Sequence, residues 1–227
     1  MERHFEQELE KLNKRLLKMS ALVSAQIRSA MIALTNCDTE LAEEVIENDT
    51  KLDELDVKID KLCQRIFALT QPVATDLRLL MSALKMNNDL ERMGDLAVNI
   101  AEKIEGLTGF KTILAELKID ELAGLTEIII RDVMTILDNR NTVFVKDIFR
   151  DANVIKEKSQ QVTQQIIAQM MEKSDVIIVA TNLIIILSHI ERIADYATNI
   201  AESIVFLVEG RMVKHSKEFE GETPAIN

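Results

Sequence analysis

Two stretches one hundred positions apart carry the same acidic spacing. Glu91, Asp95, Asn99 and Glu102 stand in LERMGDLAVNIAEKI, and Glu191, Asp195, Asn199 and Glu202 stand in IERIADYATNIAESI. On a helix turning about 100° per residue, Asn88, Glu91, Asp95, Asn99 and Glu102 fall within an arc of about 80°, and the second stretch repeats that arc from Ser188. Met86, Leu90, Met93, Ala97, Ile100 and Ile104 cluster on the other side, so the carboxylates are expected to face away from the core. A further stretch, NDTKLDELDVKID, aligns Asp49, Asp53, Asp56 and Asp60 beside the apolar positions Leu52, Leu55, Ile59 and Leu62. Acidic stripes laid side by side on adjacent helices repel. A hard divalent or trivalent cation bridging their oxygens is the usual relief.

The plainer reading of these residues is a set of solvated outer faces, with Arg92 and Arg192 pairing locally. Duplication argues against it, because a solubilising face needs charge but not the same side chains in the same order. The second half carries Asp147 and Asp151; with Asp151 aligned to Asp49, Ile155 stands where Asp53 stands, and a poorer second site is expected. Other chemistries find less support. A di-iron oxidase needs Glu-x-x-His pairs, and none of His4, His189 or His215 has a Glu three residues before it. His189 reads as a partly buried helix residue. No phosphate-binding loop, dinucleotide turn or zinc-protease pair occurs, so the expectation is a protein that is not an enzyme and has no catalytic residue.

The elements that position these stripes are all helices. Two Pro, six Gly, one Tyr and no Trp in 227 residues leave little material for hairpins and strands. Apolar period and capping residues predict six helices: about 4–35, 39–70 behind Asp38, Thr75 or Asp76 to Gly106, 114–139, Asn141 to about 172, and Ser174 to Gly210. Residues 88–104 and 188–204 share nine identities in seventeen positions, which points to duplication of a three-helix unit. The expected organisation is two pseudo-symmetric three-helix bundles at 1–106 and 113–212, a glycine-containing linker at 107–112, and a flexible tail at 213–227.

A net charge of −11 and a pI of about 4.9 disfavour nucleic acid and anionic lipid as partners. The N-terminal MERHFEQELEKL has no apolar signal segment, and the apolar run 176–187 is shorter than the ~20 residues a membrane span requires. Cys37 and Cys63 form no metal or redox spacing and suit a reducing, cytoplasmic setting as core thiols.

QPVATDLR at 71–78, DLERMGDLAVNIAE at 89–102, HIERIADYATNIAE at 189–202, FLVEGRMVKH at 206–215 and NDTKLD at 48–53 together resemble the PhoU family, accessory regulators of bacterial phosphate uptake. The resemblance spans nearly the whole chain. It implies two similar three-helix bundles in a cytosolic protein that is often a homodimer. It also implies a negative regulator of phosphate-starvation signalling, acting as an adaptor between the cytosolic parts of a phosphate ABC transporter and a sensor histidine kinase. Family members can carry metal clusters at paired acids; matched here, these are Asp49 with Asp53, Glu91 with Asp95, and Glu191 with Asp195, with Asp151 facing the gap at Ile155. Mg, Mn or Fe are the expected ions. Gly94 matches the family's small residue, and Ala194 is a mild variant of it. The alternative is a carboxylate-bridged metal-binding or metal-storage bundle.

Overall fold

The computed structural model describes residues 2–213, and these form seven α-helices and two short 3-10 turns with no strand among them. The helices are α1 (Glu2–Asn36), α2 (Thr39–Leu69), α3 (Ala74–Ile104), α4 (Lys111–Glu116), α5 (Ile119–Asn139), α6 (Val145–Glu172) and α7 (Ile177–Glu209). The all-helical expectation holds and the count of six does not. The predicted fourth helix is broken at Lys118, which adopts left-handed φ 55° and ψ 43°. A continuous helix would point Leu117 and Ile119 about 200° apart; the break lets both enter the core, where they are buried together with Leu114. No Gly or Pro marks the spot.

Caps are partly as expected. Asp38 accepts a hydrogen bond from the Leu41 amide at 3.0 Å, and Gly210 closes α7 at φ 69°. Asn141 instead accepts from the Val143 amide at 2.8 Å in the turn before α6, and Ser174 opens a 3-10 turn rather than capping α7. The tail from residue 214 onward, including His215, lies outside the described residues, as does the side chain of His4.

Helices α1, α2 and α3 pack on one another, as do α5, α6 and α7, and the two sets meet broadly through α3 against α7 and α1 against α5. Lys85 reaches Glu202, Gly106 lies against Asn182, and Arg78 lies beside Gly210, so α3 and α7 run antiparallel. One continuous apolar core results. Where the two sets join, Glu105–Leu107 is a 3-10 turn with Leu107 buried, while Thr108, Gly109, Lys111 and Thr112 of the predicted linker are exposed. A Cβ on Gly106 would sit 2.5 Å from Asn182 Nδ2, so Asn182 would have to turn away.

Taken whole, Ser174–Glu209 is long and apolar enough to cross a membrane by length and composition, which the twelve-residue run did not suggest. Part of that apolar surface packs against α3, α5 and α6, making α7 the central helix of the packing, whereas Ile178 is 78% exposed.

Candidate functional site

The first acidic set occupies the groove where α2 meets α3. Glu91 and Asp95 are not on a free outer face; they are half-buried against α2, alongside Asp49 and Asp56. The approach is close because Gly94 has no side chain: a Cβ there would lie 2.9 Å from Leu52 Cδ1. Two buried amides support the set from beneath. Gln26 of α1 donates to Asp49 Oδ1 at 3.0 Å. Asn87 Nδ2 donates to Asp56 Oδ1 at 2.6 Å and to Asp60 Oδ1 at 3.1 Å.

Burial and mutual repulsion act on these acids together. Asp49 is raised above the ordinary carboxylate range by burial, opposed by the Gln26 hydrogen bond and reinforced by Asp53 and Asp95. Asp56 is raised by burial and by Asp60, with smaller effects from Asp53 and Asp95. Glu91 is raised by burial, then by Asp95, and also feels Asp56 and Asp53. Asp95 is raised by burial and by Asp53, against the Arg92 guanidinium. Arg92 is the cation at this face, 3.5 Å from Glu91 and 3.4 Å from Asp95. Six carboxylates from two helices, Asp49, Asp53, Asp56, Asp60, Glu91 and Asp95, thus share one electrostatic environment.

The second face differs, and the reason is register. Buried Ile148, Ile155, Val162 and Ile166 of α6 fall in step with buried Val45, Leu52, Ile59 and Cys63 of α2, each 103 positions earlier. The alignment of Asp151 with Asp49 is therefore one residue out, and Ile155 corresponds to the core position Leu52. In the packed register Ala152 stands where Asp49 does, Ser159 where Asp56 does, and Lys156 where Asp53 does. The charges agree. Burial raises Glu191 and Asp195, and Lys156 opposes the rise at both, whereas Asp53 adds to it at Glu91 and Asp95. Asp151 is held by Arg150 Nε at 3.0 Å, and the same guanidinium reaches Asp147 at 2.7 Å.

The ends of the stripes separate from these faces. Asn99 and Asn199 are half-buried and Glu102 is exposed. Glu202 turns toward α3, 3.7 Å from Lys85 Nζ.

One residue escaped the sequence reading. Asp89 is 5% exposed at the α3–α7 seam, with Oδ2 unpartnered. Burial pushes its carboxyl up to about 6, Lys85 opposing and Glu202 assisting. Its signal was present in the spacing, because Asp89 falls beside Ile100 on the apolar arc of the helix. The hundred-residue repeat pairs it with His189, whose Nδ1 is also buried and unpartnered. Burial, Arg192 and Lys103 hold that imidazole below its ordinary value. His189 is half-buried in a helix, as expected.

By donor chemistry the first face suits a hard cation: acidic oxygens dominate it, and buried amides orient them. Among the described residues, however, no three Asp, Glu, His or Cys side chains are gathered closely enough to form a ready ion site. Lys156 makes the second face a poorer match still.

The described residues make an all-α, seven-helix protein in which the acidic spacing of α3 is repeated on α7. The PhoU domain family model matches residues 16–104 and again 119–204. The phosphate-specific transport system accessory protein PhoU of Serratia marcescens is 33% identical over 211 residues, covering 93% of this chain and 87% of that protein. The homolog from Aquifex aeolicus is 35% identical over 208 residues, covering 92% and 94%. The crystal structure of PhoU from Pseudomonas aeruginosa superposes with a TM-score of 0.85 at 29% identity, covering 91% of this chain and all of that one. The chain belongs to the PhoU family.

Proposed function

We propose that this protein is an accessory regulator of phosphate-specific transport that lowers phosphate-starvation signalling when phosphate is plentiful. It works as a cytoplasmic, dimeric adaptor between the transporter's cytosolic parts and a sensor kinase, through contacts rather than turnover. The carrying observation is kinship with phosphate-specific transport accessory proteins over more than nine-tenths of the chain. The two family-domain matches support reading the two helix sets as pseudo-symmetric, duplicated bundles.

In this reading the acidic groove of α2 and α3 is the docking face. Asp49, Asp53, Glu91 and Asp95 would hold Mg, Mn or Fe there, and the ion's chemistry would be charge neutralisation. Gln26, through its hydrogen bond to Asp49, and Asn87, through those to Asp56 and Asp60, orient the set. Glu191 and Asp195, opposed by Lys156, would hold such an ion weakly. A storage role is less well supported, since no enclosed ligand set is gathered among the described residues.

The test is a phosphate-starvation reporter in a bacterial strain lacking its own PhoU-family protein. The wild-type chain should restore repression at high phosphate. A variant with Glu91→Gln, Asp95→Asn, Glu191→Gln and Asp195→Asn, at equal abundance and helicity, should release it. No repression by the wild-type chain would overturn the regulatory reading; full repression by the variant would overturn the role of the acidic faces.

A further inference from the structure

Between α3, the end of α7 and the segment that follows it lies a cavity of about 530 Å³, away from the acidic faces. Its volume is that of a small-molecule site, typically about 300–1,000 Å³. Met81, Leu84, Phe206, Met212 and Val213 supply apolar walls. Methionines and a phenylalanine adapt to an apolar guest without a fixed hydrogen-bond pattern.

Polar groups enter at three points. Ser82 lines the cavity at 3% exposure, with Oγ unpartnered. A buried hydroxyl left without a partner is costly, and a ligand donor or acceptor would relieve it. Ser203, also in the wall, is already engaged, donating to the Asn199 carbonyl at 2.9 Å. Lys85 and Glu202 line the cavity as a loose ion pair at 3.7 Å. Asp89 stands one turn beyond Lys85 on α3, close enough for both Lys85 and Glu202 to act on it. Two carboxylates against one ammonium leave the polar end net negative near neutral pH.

We propose that this cavity binds a small amphiphile with an apolar chain or ring and a single protonated amine. The apolar body lies among Met81, Leu84, Phe206 and Met212, while the ammonium meets Glu202 and the Ser82 hydroxyl. An anionic head group would face Glu202 and the Asp89 charge and is disfavoured. This site is independent of the adaptor reading and of any ion at the acidic groove.

The experiment titrates the full chain with 1-aminoanthracene, a fluorescent apolar amine; the protein has no Trp to interfere. Dodecylamine, dodecanol and dodecanoate then compete below their micelle concentrations. The expected result is saturable one-to-one probe binding, displaced by dodecylamine at concentrations at least about tenfold lower than by dodecanoate. Glu202→Gln should shrink that preference to about threefold or less. Met212→Lys, at a position 82% exposed, removes part of the apolar wall and adds a cation, so it should weaken both dodecylamine and dodecanol, dodecylamine the more. Ser82→Leu should abolish probe binding with helicity retained; if it unfolds, the Glu202 and Met212 variants decide. Non-saturable binding, equal displacement by dodecanoate, or an unchanged preference in Glu202→Gln would overturn the proposal.

Discussion

Lys156 and Asp89 are residues at which the two halves differ in charge. Lys156 occupies the position that Asp53 holds in the first half, and it converts a repelling set of acids into a compensated one. Calorimetry with Mn²⁺ should therefore find one tighter site, lost in Asp49→Asn/Glu91→Gln and little affected in Glu191→Gln/Asp195→Asn. Lys156→Asp should strengthen the second site; equal losses in the two double variants would contradict this assignment. Asp89 makes a separate prediction about pH. Its carboxyl is raised to about 6 in the folded protein, above the ordinary Asp value, so the folded state holds a proton that the unfolded chain has released. Its favourable contribution is complete below the unfolded value and is lost as pH rises through about 6. Asp89→Asn should raise stability by up to about 3 kcal/mol at pH 7.5 and by little at about pH 3, where the acid is mostly neutral in both states. Urea midpoints at the two pH values would check it, and a gain independent of pH would count against it.

At the scale of elements, the break between α4 and α5 is a left-handed residue without a glycine. Non-glycine residues pay about 1 kcal/mol or more for that conformation. Lys118→Gly should therefore raise the melting temperature by about 2–4 °C, and Lys118→Val should lower it; the exposed Lys118 pair with Glu121 at 3.1 Å is worth too little to reverse the sign. A drop for the glycine variant would mean that the left-handed turn is not what holds Leu117 and Ile119 inward. Gly94 works differently. It sits within a helix, where its absent side chain allows the α2–α3 contact that gives the acidic groove its shape. Ala194 is the buried residue at the equivalent position of α7.

At the scale of the molecule, the α3–α7 seam and the α1–α5 contact join the two helix sets into one body. Unfolding of the full chain should be a single cooperative transition, with calorimetric and van't Hoff enthalpies in agreement. A fragment ending at Gly106 would expose the seam-facing side of α3, including buried Asp89, to water. Such a fragment should melt at least about 10 °C below the full chain or self-associate to cover that side. Two separate transitions in the full chain, or a monomeric fragment of undiminished stability, would show that the halves fold independently.

Much was legible before any coordinates. Helix class, most helix ends, the Asp38 cap, the closing Gly210 and the repeated acidic spacing follow from local rules: apolar period, capping chemistry and backbone freedom act within a few residues, and the sequence displays all of them. Family membership was readable in the motifs for the same reason. Three-dimensional packing decided what those rules leave open. The register of α6 follows from which of its apolar positions reach the core, and that placed Lys156, not Ile155, opposite Glu191 and Asp195. Lys118 breaks its helix because two hydrophobic residues on opposite faces must both be buried, a demand made by α4 and α5 jointly. Asp89 and His189 acquire displaced proton affinities because two helices a hundred residues apart in sequence exclude water from them, and desolvation is set by neighbours in space.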